Sequence, residues 1–241
     1  MSGRGSPWSG TMVLGVGWAL LDVRAGDNRP HRHLAHQVSL ALDAPCAIGG
    51  TLSLHLAAGE AAAIPAGTLH SLGPAGSAVR TIYVDPRFGG RCDLFGRPEP
   101  FRLPPTQTAA LRAVRSGTEA KEWIARFLGT SPVSLIDSRL RSALAGIEPG
   151  MSAAELAQAM GLSRARLREV VSRDFGFPTV KLLQWLQLQH AIDALRHSAS
   201  LADAAAAGGF ADQAHFNRRL VEWFGVTPSL GLAQLDISIV R

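Results

Sequence analysis

Two cysteines, Cys46 and Cys92, are all that the 241 residues contain, too few for the disulfide framework that staples small secreted domains. Long apolar runs are missing too. Glycine, proline or charge interrupts every stretch before it reaches spanning length, which argues against a membrane helix. The first ten residues lack the basic-then-apolar layout of a secretory signal, so the chain is expected to work in the cytoplasm and away from membranes. Nor does either sign of charge dominate enough to name a partner. The net charge of +5 and a pI near 10.2 give only a weak preference for polyanions. Eleven of the Lys+Arg and ten of the Asp+Glu fall from Pro132 onward, leaving that half at +1 and the first 131 residues at +4. Bulk charge therefore marks neither half as a nucleic-acid binder, and local clusters must carry the argument.

What is present is an ordinary globular balance, 46% hydrophobic and 18% charged, which excludes wholesale disorder. The length suffices for two domains, each with its own core. Short β-favouring runs, Val38 to Leu42, Thr51 to Leu56 and Val79 to Val84, are separated by Gly- and Pro-containing turns, the pattern of a small antiparallel barrel or sandwich. From Asp85 to Pro105 the texture turns to Pro, Gly and Arg, an irregular connector. Helical periodicity takes over at Thr106, with Leu111, Val114, Trp123, Ile124, Phe127 and Leu128 on recurring faces. Helices are expected at about 133–145, 152–160, 163–175, 178–197, 200–207 and 212–224, with a last one after Pro228. The expected division is 1–105, a helical connector at 106–131, and an all-α domain at 132–241.

That second half repeats itself. AELAQAMGLSRARLREVVSRDFG, from Ala154, matches ADAAAAGGFADQAHFNRRLVEWFG, from Ala202. Ala157 and Gly161 recur as Ala205 and Gly209 at an offset of 48, and Leu167, Val171 and Phe175-Gly176 recur as Phe216, Leu220 and Phe224-Gly225 at an offset of 49. Each copy has what a helix-turn-helix requires: a small residue where two helices cross, then a glycine four positions on where the chain turns sharply. Leu162 and Phe210 plug the turns, and Ser163 and Asp212 are suited to cap the following helices. With Leu167, Val170 and Val171 on one face, Arg164, Arg166 and Arg168 are left to point outward. A connecting helix over Thr179 to His197 would run about 28 Å at ~1.5 Å per residue, near the ~34 Å between successive major-groove faces on one side of a duplex.

The stretch GGFADQAHFNRRLVEWFGVTP, Gly208 to Pro228, resembles the signature of AraC/XylS-type regulators, and the first copy and LLQWLQLQHAIDALRHSASLADAA resemble the same family. Leu220, Gly231 and Leu232 depart from its usual residues. The resemblance implies a DNA-binding transcription regulator and no enzyme, whose helices starting at Ser163 and Asp212 enter adjacent major grooves of double-stranded DNA. The residues it places at that surface are Ser163, Arg164, Ala165, Arg166, Arg168 and Glu169, then Gln213, Ala214, His215, Asn217 and Arg218. Arginine bonds guanine bidentately, glutamine or asparagine bonds adenine, and alanine meets a thymine methyl, while Arg218 and Arg219 suit the backbone.

In the first half, GEAAAIPAGTLH, Gly59 to His70, fits the second cupin motif, and GDNRPHRHLAHQ, Gly26 to Gln37, resembles the first. The expected fold is thus α+β in two domains, an N-terminal cupin-like β-barrel and a C-terminal domain of two helix-turn-helix units joined by a long helix. His31, His33, Gln37 and His70 would line an effector site, and His31, His33 and His70 could converge on a divalent metal. Gln37 stands where complete cupins have Glu, and His36 sits one residue off the pattern. The family implies a small-molecule effector and dimerisation through the barrel, with RNA polymerase a further candidate partner. Trp123 and Phe127 are candidate dimer or interdomain contacts, the alternative being ordinary packing against the barrel. A metal-dependent cupin enzyme, or a metal sensor fused to a DNA reader, is the competing reading.

Overall fold

The computed structural model describes residues 8–15, 18–27, 29–50, 53–84, 99–128, 137–175, 178–195, 200–224 and 235–239. They fall into two units, Met1–Thr130 with Leu220–Arg241, and Ser131–Arg219.

The first unit is built on β1 (Ser9–Gly15), β2 (Trp18–Arg24), β3 (His36–Ala41), β4 (Cys46–Gly50), β5 (Leu54–Leu56), β6 (Ala61–Ile64), β7 (His70–Gly73), β8 (Ala78–Val84), β9 (Phe101–Arg102) and β10 (Leu235–Ile239). Two helices follow β9, α1 (Pro105–Ala113) and α2 (Gly117–Leu128). A seven-stranded sheet runs β10-β1-β2-β8-β3-β6-β9, and a three-stranded sheet runs β5-β4-β7. Among the described residues these sheets do not close into the expected barrel. A lone bridge pairs His31 with His70.

Side chains alternate across a strand, and in β3 and β8 this alternation separates two tasks. Val38, Leu40, Ile82 and Val84 pack with Leu111, Ala120 and Trp123 of the two helices and with Val114 between them. The intervening Gln37, Ser39, Thr81 and Tyr83 take the other face. Every residue of β3 is buried, as a strand covered on both faces must be. Trp123 belongs to this core and donates its Nε1–H to the Gln107 carbonyl at 3.2 Å, and Phe127 packs 5.3 Å from its ring. Ordinary packing, rather than an exposed contact, is therefore what Trp123 does. Cys46 is buried and its thiol is pushed up to about 11 by burial, and Cys92 lies outside the described residues.

The second unit holds α3 (Ser138–Ala145), α4 (Ala153–Ala159), α5 (Arg164–Phe175), α6 (Thr179–Ala194), α7 (Leu201–Ala207) and most of α8 (Gln213–Phe224). Its core gathers Leu140, Leu144, Leu156, Leu167, Val171, Leu182 and Leu186. The sequence expectations for these helices agree with the structure to within a few residues, except that residues 133–136 of the first lie outside the described residues and α6 stops at Ala194. Its length is therefore about 24 Å at ~1.5 Å per residue, shorter than the sequence suggests. Among described residues no helix is long and apolar enough to cross a membrane.

The helix expected after Pro228 is not what residues 235–239 form. They make β10, which pairs in parallel with β1 from Gly10↔Leu235 to Leu14↔Ile239. Phe224 is the last described residue before it; Gly225, Pro228, Gly231 and Leu232 lie outside the described residues, as do Gly176 and the core of the expected connector at 85–98.

Helix α4 opens on a capping box, the Ser152 hydroxyl accepting from the Glu155 amide at 3.2 Å and the Glu155 carboxylate accepting from the Ser152 amide at 2.7 Å. Ser152→Ala is expected to cost about 1 kcal/mol, read as a lower urea midpoint at unchanged slope; an unmoved midpoint refutes it.

Candidate functional site

Hydrogen bond for hydrogen bond, the two helix-turn-helix units are the same object. In the first, the Gly161 amide donates to the Gln158 carbonyl (3.0 Å) and the Leu162 amide to the Ala157 carbonyl (2.9 Å). In the second, Gly209 donates to Ala206 (2.9 Å) and Phe210 to Ala205 (2.9 Å). Both glycines are left-handed, at φ +64° and +74°, the conformation that lets a helix end and the chain turn back. Ser163 then accepts from the Arg166 amide at 3.2 Å and Asp212 from the His215 amide at 2.5 Å, each an N-cap at the start of a second helix. Upstream, Ser200 caps α7 through the Asp203 amide as Ser152 caps α4 through that of Glu155.

The second helices keep Leu167, Val170, Val171 and Phe216 inside. Ser163, Arg164, Ala165, Arg166, Arg168 and Glu169 are all exposed, as are Gln213, Ala214 and Arg218. Arg166 pairs with Glu169 one turn on at 2.8 Å, an exposed contact that is easily exchanged for another. His215 and Asn217 are less available. The His215 ring stands edge-on to Phe210 at 5.3 Å, and Asn217 is half-buried with its Oδ1 inside. The sequence reading did not single out Gln187, whose Nε2 donates to the Gly209 carbonyl at 2.7 Å and so ties α6 to the second turn.

In the first unit the structure brings His31, His33 and His70 together, all buried, with their ligand-capable atoms within 4.8 Å of one another. Each Nδ1–H donates to a backbone carbonyl two residues away: His31 to Arg29 (3.0 Å), His33 to Ala35 (2.8 Å) and His70 to Thr68 (3.0 Å). A carbonyl only accepts, so these bonds fix the tautomer and leave every Nε2 with its lone pair. His33 Nε2 and His70 Nε2 lie 3.0 and 2.9 Å from Gln37 Oε1. The His31 Nε2 is buried without a hydrogen-bond partner. Burial, and for His33 and His70 the neighbouring imidazoles, hold all three below the ordinary value, His33 well below it and His70 down to about 4. Neutral imidazole is the ligating form, and a backbone bond at the far nitrogen is how metal-binding histidines are oriented. The residues thus fit a divalent cation.

His36 is not part of the cluster, because its Nδ1 accepts from the Ala66 amide at 3.1 Å. Sequence reasoning missed the groups behind Gln37. Its Nε2 donates to Ser39 Oγ (2.9 Å), and Ser39 bonds Thr81 Oγ1 (2.8 Å). Tyr83 stands edge-on to His33 at 5.1 Å. Strand parity was the available signal, since Ser39 lies two residues from Gln37, and Thr81 and Tyr83 share a parity on the adjacent strand.

Comparison with known proteins bears on both units. No curated protein matches in sequence. An apo ToxT variant from Vibrio cholerae is similar in structure, with a TM-score of 0.60 at 11% identity, covering 88% of this chain and 96% of that one. Wild-type ToxT bound to unsaturated fatty acid gives 0.56 at 11% identity, covering 95% and 96%. These likenesses establish a shared fold across nearly the whole length. The family model described as a helix-turn-helix domain matches residues 156–230, the span that contains both turns.

Proposed function

We propose that this chain is a transcription regulator that reads operator DNA with its two helix-turn-helix units and answers to a small effector held by its N-terminal unit. The observation that carries the reading is the duplicated turn geometry, with an Arg-rich exposed face on α5 and a Gln-Ala-Arg face on α8. Paired readers give a single chain two footholds on one duplex. Arg164, Arg166, Arg168, Gln213 and Arg218 are the side chains assigned to bases and phosphates, with Ser163, Ala165, Glu169 and Ala214 completing the surface. His215 and Asn217 shape it from behind. The test is selection of bound fragments from genomic DNA by the full chain, followed by titration in increasing salt. Affinity should fall steeply as salt rises, because phosphate contacts release counterions. Folded protein that holds no duplex at low salt refutes the reading.

Arg166→Ala and Gln213→Ala should each weaken binding to the preferred site by about 1 to 3 kcal/mol and relax preference at one base position. Titration against single-base operator variants checks this; uniform weakening across all variants would reassign the residue to the backbone.

ToxT has been crystallised with an unsaturated fatty acid bound, which supports effector control through this fold. In this chain the seat is the cluster of His31, His33 and His70, and a divalent cation is the ligand its three convergent imidazole Nε2 atoms suit. The cation would supply a fixed positive charge between strands. Binding rather than turnover is assigned to the site. Metal analysis with an oxygen-consumption assay separates this from a metal-dependent oxygenase: stoichiometric metal without turnover is expected, and turnover would favour the enzyme.

A further inference from the structure

The Gln37 amide meets the two imidazoles beside it acceptor to acceptor. Gln37 Oε1 faces the Nε2 atoms of His33 and His70 at 3.0 and 2.9 Å, although both nitrogens carry lone pairs there, their protons being held on Nδ1 by the Ala35 and Thr68 carbonyls. Acceptor facing acceptor at hydrogen-bond distance is repulsive. The bare Nε2 of His31 joins them. Two arrangements remove the repulsion. A divalent cation draws on all four lone pairs, or the amide turns over and its NH2 donates to both imidazoles.

We propose that Gln37 is the occupancy switch of this site, its Oε1 serving as fourth ligand to a divalent cation and its NH2 taking the cation's place on His33 and His70 when the cation leaves. This rests on the reading of the histidine cluster as the effector seat. The consequence reaches the next strand through buried hydroxyls, Ser39 and Thr81 being 0% and 3% exposed. With the cation bound, the Gln37 NH2 donates to Ser39, whose own proton is then free for Thr81. With the amide reversed, Ser39 must donate to Gln37 Oε1 and accept from Thr81. Occupancy therefore reverses the direction of the Ser39–Thr81 bond, from β3 into β8. The opposite face of β8 carries α1, through Arg80, whose Nη1 donates to the Arg112 carbonyl at 3.0 Å.

The donor set also predicts which ion binds and how firmly. Three neutral imidazoles and an amide oxygen contribute no negative charge, so the site favours late first-row ions and lets them exchange. Gln37→Glu should tighten binding at least tenfold, at the cost of the switch, since a carboxylate has no donor to turn. Gln37→Leu should weaken it by about tenfold or more, with the fold monitored by circular dichroism.

The experiment uses chelator-stripped full-length protein, Co2+ followed by visible absorption, and Zn2+ followed by 1H–15N resonances. The Gln37 side-chain amide pair is identified by its loss in Gln37→Glu. One equivalent of Zn2+ should move that pair together with the backbone signals of Ser39 and Thr81. If one equivalent binds but the amide pair stays still and Gln37→Leu binds as tightly as wild type, the switch is refuted and the seat survives. If neither wild type nor Gln37→Glu takes up a stoichiometric ion, the seat is refuted and the switch with it.

Discussion

Alanine at Gly209 should destabilise the protein by about 2 to 5 kcal/mol, whereas alanine at the matching Gly161 should cost only about 1 to 2 kcal/mol. Both positions are left-handed, at φ +74° and +64°, so an L side chain is disfavoured at each by the same backbone sterics. Their surroundings differ. A Cβ at Gly161 meets nothing within 4 Å, whereas one at Gly209 falls 2.9 Å from the Gly150 amide nitrogen and 3.1 Å from the Pro149 carbonyl carbon. Those are backbone atoms with no flexible end to swing aside, so the turn or the 149–150 loop must shift. A shift of the turn also strains the bond from Gln187 to the Gly209 carbonyl. The second reader would then be mispositioned more than the first, and Gly209→Ala should lose more DNA affinity than Gly161→Ala. Urea unfolding of both variants at equal slope checks the stability difference; equal costs would mean that the 149–150 loop yields freely.

The contrast marks the boundary of what the sequence discloses. The two glycines, the plugs Leu162 and Phe210, and the caps Ser163 and Asp212 are legible because each meets a local backbone demand that recurs at a fixed offset. Gly150, brought against Gly209 by folding, is not legible, because nothing local links positions 59 residues apart. Much the same holds in the first unit. His31, His33 and His70 are visible as motif residues, but the hydroxyls behind Gln37 come together only when β3 and β8 pair Ser39 with Thr81. The C-terminal strand is a different kind of miss. Leu235-Asp236-Ile237-Ser238-Ile239 alternates with period two and carries β-branched Ile237 and Ile239, a strand signal, and helical texture carried past Pro228 obscures it. The barrel expectation agrees with the structure in its strands and turns but not, among the described residues, in closure, which depends on how sheet edges meet rather than on any one segment.

Removing Asp22 should be more damaging than removing its partner. Arg80, 5% exposed, places Nε and Nη2 on the two Asp22 oxygens at 2.6 and 2.7 Å and Nη1 on the Arg112 carbonyl at 3.0 Å. This is a bidentate pair that also holds the end of α1 against β8. Asp22→Ala leaves a buried guanidinium with carbonyls alone, which costs about 3 kcal/mol, the low end of the usual range because the edge of the pair admits solvent. Arg80→Met keeps the apolar stem and removes the charge. The Asp22 carboxylate it leaves behind is 30% exposed, so water can solvate it and the cost should be smaller, about 1 to 2 kcal/mol. The double variant should then recover part of what Asp22→Ala loses, since no unpaired charge remains inside. A double-mutant cycle by urea unfolding measures this, and a double variant as unstable as the sum of the singles would show that the two side chains act independently. The recovery matters for signalling as well as stability. Arg80 neighbours Thr81 on the strand whose other face carries the Gln37 relay, so Arg80→Met, folded but released from the Arg112 carbonyl, should keep metal affinity while uncoupling α1 from the state of the site.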